Sequence, residues 1–201
     1  FIRDRVAGLT ERVSVATSGL QGNLDSAPDA PDVSDDGRYV VFSSYATNLS
    51  ALDGDSSSDV YWRDRTAAET LLVSITLTGG DNARGFHPSL SADGLLVAFH
   101  SNGPVTALSL GAWLQVYVRD MATLVSELVS VQHTLLAEGS GNSERAEITA
   151  DGRFVAFQSA AADLDAIDTN SNTDIFLRDR TLATTELVRE LFEFADPAPD
   201  E

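Results

Sequence analysis

The sequence predicts an all-β chain: a partial β-propeller of about three and a half four-stranded antiparallel blades with a ~58-residue repeat. Three observations carry that prediction. First, a hairpin motif recurs in phase, with turn aspartates Asp36, Asp93 and Asp151 spaced by 57 and 58 residues. Its third copy reads Ile148-Thr149-Ala150-Asp151-Gly152-Arg153-Phe154-Val155-Ala156-Phe157. Second, an Arg-Asp motif follows an apolar pair in Phe1-Ile2-Arg3-Asp4-Arg5, Tyr61-Trp62-Arg63-Asp64-Arg65, Tyr117-Val118-Arg119-Asp120-Met121 and Phe176-Leu177-Arg178-Asp179-Arg180. Third, the strand between them is apolar at nearly every position, as in Tyr39-Val40-Val41-Phe42. A sheet covered on both faces gives such runs, whereas a half-exposed sheet alternates.

Residues 1–27 hold strands c and d of a half blade with its connector; strand d is placed at Arg12-Val13-Ser14-Val15. Blade one, 28–85, has strands expected at roughly 30–34, 39–44, 59–63 and 71–76. Its a–b hairpin turns at Asp36-Gly37, because Gly readily takes positive φ and Asp bonds its own backbone. Blade two spans 86–144 and blade three 145–190, with strand d expected at Leu128-Val129-Ser130-Val131 and Leu187-Val188. Residues 191–201 read as a tail or linker. They hold no Asp-Gly hairpin, and Pro197 and Pro199 oppose strand pairing, so they do not supply the missing strands a and b. The chain is thus expected to be an arc of a larger ring, or to be completed by a partner. Bare apolar blade faces drive association, and a homo-oligomer is one way to cover them.

Composition narrows the partners. The hydrophobic fraction of 43% suffices for a packed core, and no apolar run is long enough to span a bilayer. A formal charge of −18 repels phosphate backbones and anionic lipid surfaces while attracting cations. All 13 basic residues are Arg, which reads as coding bias rather than chemistry. The lack of Cys excludes disulfides, thiolate metal sites and cysteine nucleophiles. A chain opening at Phe1 is expected to be processed or cut from something longer.

The units Ser-Ala-Asp-Gly-Arg-Phe-Val-Ala-Phe and Asp-Ile-Phe-Leu-Arg-Asp-Arg resemble the bacterial WD40-like PD40 repeats found in TolB-like propellers, over residues 1–190. The resemblance implies a ring of about six or seven blades, an exported protein, and a binding or scaffolding role, with no catalytic residues to carry over. The chain departs from the pattern at Leu95, where the other copies have Arg, and across 102–113.

Candidate ligands cluster between strands b and c. Blade three has Asp168-Thr169-Asn170-Ser171-Asn172-Thr173-Asp174, and blade one has Asp53-Gly54-Asp55-Ser56-Ser57-Ser58-Asp59. Oxygen side chains at alternate positions of a curled loop converge on a hard cation, and Ca2+ is the ion implied at Asp168, Asn170, Asn172 and Asp174 and at Asp53, Asp55 and Asp59. The competing reading is an Asx-rich turn whose side chains bond the backbone. Blade two instead carries an apolar insertion from Pro104 to Trp113, read either as a contact patch or as a loop folded over its own blade. The recurring Arg-Asp pairs read as scaffold, with Asp capping the c–d turn and Arg reaching a neighbour between blades. His87 and His100 could approach across their hairpin, but two imidazoles are a weak metal signal. The chain has no nucleophile elbow, P-loop or dinucleotide fingerprint.

The expectation is a non-enzymatic, exported propeller module for protein–protein interaction or assembly, periplasmic or extracellular, with calcium as a stabilising ion. Its partner is another protein or further blades. The alternative is a segment of a larger propeller enzyme, or a small-ligand or polysaccharide binder using the central channel.

Overall fold

The computed structural model describes residues 1–26, 28–79, 83–170 and 172–189, so the expected tail at 191–201 lies outside the described residues. The described chain is all-β. A two-stranded sheet, β1 (Ile2–Asp4) and β2 (Leu9–Glu11), is followed by three four-stranded antiparallel sheets. These are β3 (Asp32–Val33), β4 (Tyr39–Ser44), β5 (Asp59–Asp64) and β6 (Glu69–Leu72); β7 (Phe86–Leu90), β8 (Leu96–Ser101), β9 (Gln115–Asp120) and β10 (Val125–Leu128); and β11 (Ser143–Ile148), β12 (Phe154–Ser159), β13 (Asp174–Asp179) and β14 (Thr184–Leu187). Each is ordered a-b-c-d as the chain runs. The chain is a partial propeller of a half blade and three full blades.

The a–b turns repeat atom for atom. Ser34 Oγ donates to Asp36 Oδ1 at 2.7 Å and accepts the Tyr39 amide at 3.0 Å, while Asp36 accepts the Arg38 amide. Ser91 with Asp93 and Thr149 with Asp151 do the same. Gly37, Gly94 and Gly152 sit at φ of +70°, +75° and +71°, where a β-carbon is strained. The hydroxyls of Ser34 and Thr149, then the following amides, hold Asp36 and Asp151 below the ordinary carboxylate range.

The c–d turns are capped by Asp4, Asp64, Asp120 and Asp179, each accepting the amides two and three residues on. Arg38 and Arg153 clamp Asp64 and Asp179 through Nε and Nη2 of one guanidinium edge, closing at 2.6 Å in each case. Leu95 stands where blade two would place this arginine.

Two expectations need correction. Strand d lies earlier than expected: Glu69–Leu72 replaces 71–76, and the Leu-Val-Ser runs mostly follow the ladder. The physical reason is how the ladder ends. Val73 makes its last rung, donating to the Val60 carbonyl at 2.8 Å, and the Ser74 hydroxyl in place of a backbone carbonyl accepts the Val60 amide at 3.0 Å, sealing the start of strand c. Val129 and Ser130 repeat this against Val116. The arginines of the Arg-Asp pairs, moreover, do not bridge blades. Arg3, Arg63, Arg119 and Arg178 reach Thr10, Thr70, Ser126 and Thr185 on strand d of their own blade.

Blades pack face to face. One cluster joins Val41, Val60, Trp62 and Val73 of blade one to Val97, Phe99, Tyr117 and Leu128 of blade two. A second joins Ala98, Val116, Val118 and Val129 to Val155, Phe157 and Phe176, and a third joins Ile2 and Val13 to Val40, Phe42 and Tyr61. Each fully buried side chain of this size contributes about 1.5–3 kcal/mol. Trp62 Nε1 donates to the Gly94 carbonyl at 2.8 Å, and the Asp35 and Ala92 amides donate to Ala92 and Ala150 of the next blade.

Candidate functional site

The two b–c loops share an Asx-turn frame and differ in what meets the buried aspartate. In blade one, Asp53 Oδ1 accepts the Asp55 amide at 3.2 Å and Asp55 Oδ1 accepts the Ser57 amide at 2.5 Å. Asp53 Oδ2 accepts the Tyr61 hydroxyl at 2.5 Å, and Asp59 Oδ1 accepts Ser74 Oγ at 2.8 Å. Burial, then the Asp53 carboxylate, pushes the Tyr61 hydroxyl far above its ordinary value, so it stays a donor. Carboxylate oxygens of Asp53, Asp55 and Asp59 lie within 4.8 Å of one another. Asx-turn bonding and convergence therefore coexist in one loop.

Blade three repeats the frame. Asp168 Oδ1 accepts the Asn170 amide at 3.1 Å, Asn170 Oδ1 accepts the Asn172 amide at 2.5 Å, and Asn170 Nδ2 sits 3.5 Å from Asp174 Oδ2. Phe176, however, holds the position of Tyr61. Asp168 is 7% exposed, and its Oδ2 has no hydrogen-bond partner among the described residues. A buried anionic oxygen without a donor is costly unless something supplies positive charge.

The blade-two insertion splits between its two readings. Val105 is buried in the blade interface, and the Leu110 and Leu114 amides are tied to Glu138 and Asn142. Leu110 and Trp113 point outward. His87 and His100 do meet, with stacked rings 5.1 Å apart, and His87 Nε2 lies 3.3 Å from Asp29 Oδ1. Burial first, then His87, pushes His100 down to about 4. That holds His100 as a neutral packing group.

The inner strands carry a relay that the sequence reading missed. The Leu90 amide donates to Asp32 Oδ2 at 2.8 Å, the Ile148 amide to Ser89 Oγ at 3.3 Å, and Ser89 Oγ to Glu147 Oε2 at 3.0 Å. Asp32 and Ser89 thus each offer a side-chain acceptor to the inner strand of the next blade, and Glu147 accepts from the blade before it. The three residues share a column of the repeat, and aligning Asp32, Ser89 and Glu147 would have revealed it.

Among the described residues, nothing packs over the blade faces at the two ends. In blades one and two the central strands are buried at almost every position, whereas β12 alternates. Ala156, Gln158, Ile175, Leu177 and Val188 occupy the columns that blades one and two bury against the blade ahead; Ile175 is 49% exposed. At the other end, Phe1 holds the column of Tyr61, Tyr117 and Phe176, which are fully buried, yet it is 77% exposed. Beside it, Val13, Leu24, Pro31, Val40 and Phe42 line a cleft of about 290 Å³ where strands a and b of the half blade would lie.

Among solved structures, TolB from Acinetobacter baumannii superimposes with a TM-score of 0.52 at 18% identity, over 92% of this chain and 36% of that one. The TolB-type structure from Agrobacterium tumefaciens gives 0.56 at 16% identity, over 88% of this chain and 50% of that one. The β-propeller domain of the Trilobed protease from Pyrococcus furiosus, described as having an open velcro topology, gives 0.50 at 14% identity, over 83% and 44%. The chain spans roughly a third to a half of the length of these structures. The likeness establishes a TolB-like propeller fold. No protein-family model matches the chain, and no curated protein does.

Proposed function

We propose that this chain is a non-enzymatic interaction or assembly module, an exported propeller segment whose uncovered faces are completed by further blades or by a protein partner. The reading places it in a bacterial periplasm or outside the cell, in keeping with the export common among TolB-like propellers. The observation that carries the reading is the alternating burial of β12 beside the apolar columns at Ile175, Leu177 and Val188. These columns are interior in the two preceding blades, so the sequence of blade three is written for a covered face. Size-exclusion chromatography with light scattering across a concentration series tests it. The chain is expected to associate, and Ile175→Asp to weaken association while leaving the thermal unfolding of the monomer, read at dilution, unchanged, because that side chain is not core in the isolated chain. A monomer at every concentration overturns self-association and leaves further blades or another protein to cover the faces.

A second reading rests on Asp168. Its buried, partnerless Oδ2 favours a divalent cation in the blade-three loop, held by Asp168, Asn170, Asn172 and Asp174, with calcium matching the all-oxygen donor set. Asp53, Asp55 and Asp59 make the parallel set in blade one, where Tyr61 already satisfies the buried oxygen. Calorimetric titration with calcium, using Asp168→Ala and Asp174→Ala as controls, checks the blade-three loop. Heat that persists in both variants would remove it.

A further inference from the structure

We infer that the two uncovered ends dock on one another: the face of blade three in one copy seats the half blade of a second copy, with Glu186 opposite Arg5. The inference rests on the assembly reading and adds the occupant and the register. It comes from one column pair that recurs at each joint between blades. The residue after the c-strand aspartate faces the d strand of the preceding blade. Arg65 reaches Glu11 at 2.8 Å, and Arg180 reaches Glu127 at 3.1 Å. At the joint between blades one and two both members change together: Met121 and Leu71 take the same columns and share one apolar cluster. The chemistry at this position is therefore matched across every internal joint. The unmatched members are Glu186 on blade three and Arg5 on the half blade, both exposed.

The apolar groups agree. Tyr61, Tyr117 and Phe176 each bury completely against the preceding blade, and Phe1 is their counterpart at the open end. Ile175 and Leu177 hold the columns that receive this ring at the other joints, where Val60 with Trp62 and Val116 with Val118 stand. Charge agrees too. The first twelve residues carry three Arg (Arg3, Arg5 and Arg12) against two acids, in a chain whose net charge is −18. A two-stranded half blade covers only the outer part of the blade-three face. With no a–b hairpin in the half blade among the described residues, Arg5 also lacks the brace that the Gly37 carbonyl gives Arg65, so the joint is weaker than an internal one.

Sedimentation of the wild-type chain, Arg5→Glu, Glu186→Arg and an equimolar mixture of the two variants tests the docking. Each variant alone is expected to associate at least tenfold more weakly, because like charges then meet across the joint. In the mixture, every joint between one variant and the other again sets opposite charges at positions 5 and 186. Association is then expected to recover to within about threefold of wild type. At concentrations where every chain is monomeric, unfolding temperatures should not move, since both side chains are exposed. If the wild type associates and neither reversal matters, the docking is wrong while the assembly reading stands. If the wild type stays monomeric, the docking falls, and the assembly reading is left with blades of a longer chain or another protein to cover these faces.

Discussion

Replacing His100 with Gln, the residue blade three carries at the same position (Gln158), should flatten the acid side of the stability profile. His100 is 3% exposed, stacked on Phe86 at 5.5 Å and His87 at 5.1 Å, and its Nδ1 accepts the Arg145 amide at 3.3 Å. A protonated ring donates at both nitrogens and loses that acceptor role. Burial first, then His87, depresses its pKa from 6.5 to about 4. The folded value lies below the unfolded one, so the unfolded chain takes up the proton first as pH falls. The contribution is intact above the unfolded value and is lost progressively towards the folded one. Between neutrality and about pH 5 the loss is about 2 kcal/mol, and by about pH 4 it is about 3 kcal/mol. For a chain of this size that corresponds to roughly 2–4 °C per kcal/mol. Carboxylates titrate over the same range, so the informative quantity is the difference between wild type and His100→Gln. Thermal unfolding followed by circular dichroism across this pH range should show wild type falling more steeply. Parallel profiles would refute the assignment of His100 as a buried neutral ring.

Gly94→Ala should cost well over about 2 kcal/mol, since φ is +75° and the new methyl would overlap the Tyr39 ring; Gly19→Ala, at φ +84° in open space, should cost about 1 kcal/mol or less in the same denaturant titration. Tyr61→Phe should destabilise by about 1–3 kcal/mol by removing the hydroxyl that Asp53 accepts, while Phe176→Tyr should stabilise the metal-free chain and weaken calcium binding at Asp168. Leu95→Arg should gain up to about 1 kcal/mol by clamping Asp120 as Arg38 clamps Asp64. No change in unfolding temperature would show that blade two cannot accept that pair.

The architecture was legible because each turn declares itself locally. Ser-x-Asp-Gly closes its own hairpin through bonds among residues at most five apart, and three copies in phase fix the blade length. The end of strand d is not legible because Val73 and Ser74 look like strand residues, yet the Ser74 side chain takes the place of the next backbone partner and closes the ladder. The Arg-Asp arginines were assigned across blades because Arg63 and its neighbour Arg65 are chemically alike; only position separates the one that reaches Thr70 from the one that reaches Glu11. The difference between the two b–c loops was hidden because it depends on Tyr61 against Phe176, eight residues beyond Asp53 and Asp168. The matched columns at the blade joints were present in the sequence. They become readable only when the c-strand end of one unit is set against the d strand of the unit before it.

Side-chain footprinting with hydroxyl radicals, read by mass spectrometry across a concentration series, tests most directly whether the blade-three face is built to be covered. Ile175 and Leu177 should lose reactivity as concentration rises, while Leu110 and Leu136, exposed on loops away from that face, keep theirs. Equal reactivity of Ile175 at every concentration, with or without association, would contradict coverage of the blade-three face by a second copy.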